Sequence, residues 1–181
     1  MADQGLFFAL WPEARVRDEF AALAHASAPG EGRRHRADDL HMTLVFLGQV
    51  DPSRRQCIEG VADAIRAPSF ELTIDHTGFW SRPRIFWAAP DTTPEPLKQL
   101  VHDLNHGLRG CGFEPEQRSY KPHVTLYRKA RHAKPMPLPA GIQWRVKAFV
   151  LASSTNPGPS MTRYQVLRRW VLDDAGEDIA S

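Results

Sequence analysis

The chain has 181 residues, of which 42% are hydrophobic and 24% charged, and these proportions are ordinary for a globular protein with a sizeable core. Its formal net charge of only +2 excludes the strong basicity of a general nucleic-acid coat, although local arginine clusters remain compatible with it. No apolar segment is long enough to cross a membrane, and the first residues lack the pattern of a signal peptide. We therefore expect a cytoplasmic protein without membrane contact, and a monomer.

The first half of the sequence predicts two strands, each followed by a helix. Short apolar runs indicate strands, apolar residues at helical spacing indicate helices, and clusters of Pro and Gly indicate breaks between them. In chain order we predict a strand at 6–10, a helix that includes Val16 to Ala24, a break at 29–32, a basic run at 33–36, a strand at about 40–48, and a helix from Asp51 to about 67.

The second half contains more strands, arranged in hairpin-like pairs. Its clearest helix has six apolar residues on one face, between Leu97 and Cys111. In chain order we predict strands at 70–79 and 85–89 joined around 81–84, the helix, a strand at about 122–129, a basic Pro-rich connection at 129–139, a strand at 143–152, a turn at 156–159, an alternating stretch at 163–172, and a polar tail at 173–181 that frays.

These elements do not follow the regular strand-helix alternation of a doubly wound sheet. The hairpin-like pairs favour an α+β fold with largely antiparallel sheets. The loosely repeated order of elements indicates two similar lobes that face one cleft. Because no linker separates independent units, we expect residues 1–181 to form a single domain.

A four-residue pattern occurs twice, as His41-Met42-Thr43-Leu44 and as His123-Val124-Thr125-Leu126, and both copies lie in predicted strands. Side chains alternate between the two faces of a strand, so the His and Thr of each copy project to the same side. One isolated His-x-Thr is most simply a structural strand histidine. Two copies with the same following Leu indicate a shared function.

The paired motif suits acid–base chemistry on a phosphodiester. Histidine exchanges a proton near neutral pH, so one imidazole serves as base while the other serves as acid. The two hydroxyls are donors for phosphate oxygens that gain negative charge in the transition state. The residues alone therefore predict an enzyme that acts on phosphodiesters.

The two motifs and their surroundings resemble RNA 2′,3′-cyclic phosphodiesterases of the 2H phosphoesterase superfamily, also called bacterial 2′-5′ RNA ligases. The resemblance covers nearly the whole chain. It is carried by Leu6-Phe7-Phe8-Ala9-Leu10, by Leu40 to Gly48, by Arg82 to Trp87, by Pro122 to Arg128, and by Tyr164-Gln165-Val166-Leu167.

The resemblance implies a bilobal fold whose two sheets flank a central cleft. It implies hydrolysis of cyclic phosphate ends without metal or cofactor, possible weak reversible ligation, and the following site: His41 and His123 as catalytic residues, with Thr43, Thr125 and Arg128 as phosphate ligands. His123 becomes the base that activates water, and His41 the acid that protonates the departing ribose oxygen. Strict alternation turns Arg128 away from His123, so its role requires a bulge, a twist or a side chain that reaches round the end of the strand.

Two other functions stay open. One is a module that binds RNA ends without turnover, and the other is a 2H phosphodiesterase for small cyclic nucleotides such as ADP-ribose 1″,2″-cyclic phosphate. This sequence has Arg34 where the family commonly has an aromatic or apolar residue, and Ala37 where it commonly has a proline. The resemblance therefore does not predict which residues form the rim of the substrate site. The basic run at 33–36 is either part of that rim or a solvated loop.

The remaining candidate residues have simpler explanations. His102 and His106 are four residues apart on a helix, but they lack the Glu of a zinc motif and face away from the apolar stripe. The two cysteines, Cys57 and Cys111, are predicted to be buried free thiols in a reducing compartment. We expect mostly core positions for four aromatic residues, Phe7, Phe46, Trp80 and Trp87, although an aromatic residue at the cleft wall would be able to stack on a base. We expect surface or local hydrogen-bonding positions for four histidines, His25, His35, His76 and His132.

Overall fold

The structure is a computed structural model that describes residues 5–27, 29, 31–155 and 161–174. Over these residues the chain forms three α-helices, one short 3₁₀ turn at 37–39 and nine strands. The helices are α1 (Ala14–Ser27), α2 (Pro52–Ala64) and α3 (Glu95–Arg109). The strands are β1 (Gly5–Leu10), β2 (Arg33–Arg34), β3 (Met42–Gln49), β4 (Phe70–Trp80), β5 (Ile85–Ala89), β6 (Val124–Arg128), β7 (Pro137–Val146), β8 (Ala148–Ser154) and β9 (Tyr164–Val171).

The named strands pair antiparallel, in the order β7-β4-β5-β6-β3-β1-β8-β9, with β2 paired to β6. Each half of this order contains four strands, and one motif strand, β3 or β6, lies at the inner edge of each half. The two halves are hydrogen-bonded neighbours through the single residue pair Met42–Val124. The α+β class with antiparallel strands is confirmed, and the two predicted sheets are halves of one continuous sheet.

The two faces of the sheet have different contents near this junction. One face packs with the helices in a large core, which includes Phe8 of β1, Phe20 of α1 and Leu104 of α3. On the opposite face a small cluster contains Phe7, Ala9, Val150 and Ala152, with Trp11 and Tyr164 packed against it. Neighbouring side chains of β1 therefore point to opposite faces of the sheet, as strand geometry requires.

The predicted strand at 143–152 is wrong as a single element. Residues up to Val146 belong to β7, which pairs with β4, whereas residues from Ala148 onward belong to β8, which pairs with β1. The chain crosses from one half of the sheet to the other at Lys147. In the sequence, apolar and polar residues keep alternating across this crossing, from Trp144 through Val146 to Ala148, so the sequence pattern alone does not reveal it.

Most other predicted elements are confirmed, with small changes at their ends. The short strand β2 was not predicted, and it pairs Arg33 with Arg128 and Arg34 with Tyr127. The turn predicted at 156–159 and the end of the tail, 175–181, lie outside the described residues. None of the described helices is long and apolar enough to span a membrane.

The prediction of two free thiols is also wrong. Cys57 in α2 and Cys111, just after α3, form a disulfide with their Cα atoms 5.8 Å apart. The helices α2 and α3 contact each other, and this packing brings together two cysteines that are 54 residues apart in sequence. Helical periodicity describes which face of each helix is apolar, but it does not say which helices are neighbours. Cys57 is exposed and Cys111 is buried.

Candidate active site

The pairing of Met42 with Val124 sets the geometry of both His-x-Thr motifs. These are the middle residues of the two triplets, and both side chains are fully buried in the core. Since antiparallel partners run in opposite directions, this register places His41 beside Thr125 and Thr43 beside His123. The His and Thr residues project to the face opposite the core, as the sequence pattern predicts.

Both motif histidines are held in the same way by the backbone. The Nδ1 nitrogen of His41 lies 2.7 Å from the carbonyl oxygen of Asp39, and that of His123 lies 2.8 Å from the carbonyl oxygen of Lys121. A carbonyl only accepts hydrogen bonds, so Nδ1 carries the proton and donates in each case. In both rings Nε2 is therefore the nitrogen available to exchange a proton with a substrate.

Aromatic rings enclose His41. Its imidazole stacks on Trp11 at a centroid distance of 4.9 Å, and it meets Tyr164 edge-on at 4.7 Å and Phe7 at 5.0 Å. This burial, with smaller contributions from the charges of Arg128 and His123, lowers the pKa of His41 to about 4. The imidazole is consequently neutral at pH 7 in the protein without ligand.

Among the described residues, His123 has one aromatic neighbour, Trp80, whose ring meets it edge-on at 4.6 Å. Trp80 in turn contacts Trp87 at 5.2 Å. Gly78 makes this packing possible, because a Cβ atom at that position would lie only 2.1 Å from the Trp87 ring. Burial, followed by the charge of Arg128, lowers the pKa of His123 as well.

A bulge in β6 brings Arg128 to the motif face. Thr125 pairs with Trp87 and Tyr127 pairs with Phe86, so Leu126 is an extra residue between them. The side chains of Leu126 and Tyr127 are both buried in the core, which returns Arg128 to the face of Thr125. This is the bulge that a phosphate-binding role required. The charge of Arg128 also acts on the pKa of both motif histidines.

Asp39 links the first histidine to the start of β9. Its carboxylate is buried and accepts a hydrogen bond of 2.9 Å from the backbone N–H of Arg163, while its carbonyl holds His41. Burial raises the pKa of this carboxyl, against the lowering effect of the backbone N–H groups of Arg163 and Tyr164. One residue therefore fixes both the imidazole and the strand that presents Tyr164. The sequence analysis did not identify it.

His35 is a third histidine close to the site. A surface or local hydrogen-bonding position was expected for it, and the surface position is wrong. It is only 6% exposed, and its Nε2 atom is buried without a partner among the described residues. Its pKa is lowered to about 3 by burial and then by the positive charge of Arg128. The side chain is thus neutral at every pH at which the protein is expected to work.

A cavity of about 660 Å³ opens beside the second motif. Its lining includes Thr43 and His123 from the two motifs, together with Trp80, Arg82 and Lys121. Phe46 also lines it and is 67% exposed, so the prediction of a core position for Phe46 is wrong. The volume is sufficient for a small organic group next to the histidine.

Two exposed helix histidines lie apart from this arrangement. His102 and His106 have their ring centroids 6.3 Å apart on α3, on the face opposite the buried leucines, as predicted. Within residues 5–27, 29, 31–155 and 161–174, no group of three or more His, Cys, Asp or Glu side chains is arranged to hold a metal ion.

Comparison with known proteins gives consistent results over most of the chain. The family model of the 2′-5′ RNA ligase superfamily matches residues 11–157. The RNA 2′,3′-cyclic phosphodiesterase of Escherichia coli (strain K12) is 38% identical over 173 residues, which are 93% of this chain and 97% of that protein. A protein of the same name from Aeropyrum pernix is 30% identical over 119 residues, which are 64% of each chain.

Solved structures agree with this chain in fold. A crystal structure described as a phosphoesterase superimposes with a TM-score of 0.87 at 34% identity, covering 96% of this chain and 100% of that one. The structure of Escherichia coli LigT complexed with 3′-AMP has a TM-score of 0.85 at 34% identity, covering 94% of this chain and 99% of that one.

Proposed function

The chain belongs to the 2′-5′ RNA ligase superfamily, and we propose that it hydrolyses RNA ends that carry a 2′,3′-cyclic phosphate to 2′-phosphomonoesters. One observation supports this proposal most strongly. Each His-x-Thr motif presents an imidazole with Nδ1 fixed by a backbone carbonyl, and each imidazole lies beside the threonine of the other motif. Two equivalent proton-transfer groups thus flank one position for a phosphate.

In the proposed reaction, Nε2 of His123 accepts a proton from water while the water oxygen attacks phosphorus. The bond from phosphorus to O3′ breaks, and Nε2 of His41 donates its proton to O3′. The phosphate then remains on O2′, and the two histidines have exchanged protonation states. In-line displacement requires nucleophile and leaving oxygen on opposite sides of phosphorus, which suits histidines that flank the phosphate.

The other site residues stabilise the charge that develops on the phosphate. The hydroxyls of Thr43 and Thr125 donate to its non-bridging oxygens, and the guanidinium of Arg128 binds the same group. We propose these roles because the pairing and the β6 bulge bring all three residues to the face of the histidines. The reaction needs no metal in this scheme, since both protons are carried by side chains.

Burial lowers the pKa of both imidazoles, and that of His41, the proposed acid, to about 4, so His41 must gain its proton together with the substrate. A cyclic phosphate is an anion, and its charge next to His41 favours the imidazolium and offsets the repulsion from Arg128. The reverse reaction uses the same groups with roles exchanged. We therefore include weak 2′-5′ ligation in the proposal, with hydrolysis favoured in water.

Product analysis tests this function directly. The protein is incubated in EDTA with an oligoribonucleotide that ends in a 2′,3′-cyclic phosphate, and the products are resolved by chromatography and phosphorus NMR. We expect undiminished turnover and a 2′-phosphate. Binding without turnover would instead support an RNA-end binding module, and a mostly 3′-phosphate product would reverse the proposed substrate orientation. Recovery of lost activity by added zinc or manganese would contradict the metal-free scheme.

We further propose that the two halves of the sheet are pseudo-symmetric lobes of one domain, and that the protein is a cytoplasmic monomer. Both are testable. A disulfide such as Cys57–Cys111 is more usual in oxidising compartments. Trapping thiols in intact cells would therefore report whether the pair is reduced there. Analytical ultracentrifugation would measure the oligomeric state.

A further inference from the structure

We infer that Arg33 and Arg163 form a second phosphate-binding position, which holds the phosphodiester immediately upstream of the cyclic end and selects RNA strands over free cyclic nucleotides. We call these two residues the arginine patch. The inference rests on the proposed function, because it deepens the substrate class of the same site. The proposed position lies next to the motifs, and it sets the direction in which the RNA strand runs from the cyclic phosphate.

The arginine patch lies on the His41 side of the site. Arg33 is the Cα partner of Arg128 in the short pairing of β2 with β6. The backbone N–H of Arg163 donates to Asp39, whose carbonyl holds His41. Two separate segments, before β3 and at the start of β9, therefore bring their arginines to the edge of the first motif.

The charges in the patch act on one another. Partial desolvation, followed by the nearby positive charges of Arg163 and Arg128, lowers the pKa of Arg33. Both patch residues are exposed, and within residues 5–27, 29, 31–155 and 161–174 neither forms an ion pair with a carboxylate. The buried Asp39 carboxylate partly offsets these charges, but Arg33, Arg128 and Arg163 outnumber it. The patch therefore keeps a net positive charge that favours binding of an anion, and a phosphodiester is the anion that RNA supplies at regular intervals.

The proposed proton transfers indicate that the RNA strand with the cyclic end crosses the arginine patch. O3′, which His41 protonates, belongs to the terminal ribose itself, so that ribose lies on the His41 side of phosphorus. The RNA continues from the O5′ of that ribose to the upstream phosphate, and the exposed arginines of the arginine patch lie on this side of the site. Water approaches from the opposite side, where His123 borders the cavity. The cavity is thus on the nucleophile side, and the cyclic-ended strand lies on the other.

The test compares two small substrates that differ by one phosphodiester. One is adenosine 2′,3′-cyclic phosphate, and the other is the same nucleotide with a methyl phosphodiester at its 5′ position. We expect the wild-type protein to hydrolyse the second with a kcat/KM about 10-fold higher, the size of a charge-assisted contact. In Arg33→Ala and Arg163→Ala this ratio should fall by about 3- to 10-fold, mainly through KM.

Two control variants make the outcome specific. Arg15→Ala removes an exposed arginine of α1 that contacts Glu19 and the β7 backbone, and it should leave the ratio unchanged. Arg82→Ala removes an arginine from the cavity beside His123 and should also leave it unchanged. The inference is overturned if the wild-type ratio is near one, if both patch variants keep it, or if Arg82→Ala abolishes it. If the wild type hydrolyses the cyclic-ended oligoribonucleotide but neither small substrate, one upstream phosphodiester is not sufficient and the inference fails alone. If it hydrolyses none of the three, the proposed function fails as well.

Discussion

Met42 and Val124 are Cα partners at the centre of the sheet, and each is the middle residue of a His-x-Thr triplet. An antiparallel pair has a local two-fold axis between its strands, so the two triplets are exchanged by rotation about the point where these residues meet. The axis places each histidine beside the other triplet's threonine. A shift of either strand by one residue would send its His and Thr into the core, so the register itself is required for the site.

Replacing either motif histidine by alanine should lower kcat by about 10²- to 10⁴-fold, the usual contribution of a positioned acid or base. His41→Ala and His123→Ala are compared with His102→Ala, which removes an exposed histidine of α3. Steady-state kinetics measure the effect, and circular dichroism checks the fold. A folded His41 or His123 variant with near-normal kcat would rule out the two-histidine scheme.

Thr43→Val and Thr125→Val preserve strand shape and remove one hydroxyl each. Because those hydroxyls are proposed to bind oxygens that gain charge in the transition state, kcat should fall by about 10- to 10³-fold with a smaller change in KM. Thr73→Val is a matched control, since Thr73 lies on β4 and its hydroxyl donates to Gln143. Loss of thermal stability without loss of kcat in the motif variants would indicate a structural role.

The sequence predicted the motif residues and most elements, because each follows from short-range patterns of periodicity and spacing. Features that depend on how distant elements pack were not predictable in the same way. The crossing at Lys147 interrupts no pattern, the disulfide depends on which helices touch, and the burial of His35 depends on β2 pairing with β6. For Arg128 the sequence provided only part of the answer. The family pattern pointed to this residue, strict alternation turned it away from His123, and the bulge at Leu126 brings it back to the motif face.

Gly78→Ala should reduce activity although residue 78 contacts no substrate in the proposed scheme. The added methyl group would overlap the Trp87 ring, which must move, and Trp87 packs on Trp80 next to His123. We expect a lower kcat and a change in tryptophan fluorescence. Gly60→Ala is the control, because a Cβ atom there meets nothing within 4 Å. Equal activity of the two variants would contradict a positioning role for the Trp80–Trp87 pair.

Stability should fall as the pH is lowered from about 6.5 towards 3. Burial lowers the pKa of His35 to about 3 and that of His41 to about 4 in the folded protein. Below pH 6.5 the unfolded chain therefore binds protons that the folded chain does not, and each group contributes up to about 1.4 kcal/mol per pH unit. Urea unfolding between pH 7.5 and 5 measures this slope.

His35→Leu should make that slope shallower, because it removes one buried imidazole. It also removes an unpartnered buried nitrogen, so stability at pH 7.5 should be retained or increased. His132→Leu, which removes an exposed imidazole, is the matched control. An identical slope in wild type and His35→Leu would show that His35 takes up its proton in the folded protein.

The Cys57–Cys111 disulfide should contribute to stability without affecting catalysis. It closes a loop between residues 54 apart, for which the chain-entropy model gives about 4 kcal/mol. It joins α2 to the end of α3, away from the motif face of the sheet. The Cys57→Ser/Cys111→Ser double variant should therefore have a lower Tm than the oxidised wild type and an unchanged kcat. A reductant should lower the wild-type Tm towards that of the variant and leave the variant's Tm unaffected. Two titratable thiols in the unreduced, denatured wild type would show that the bond is not formed.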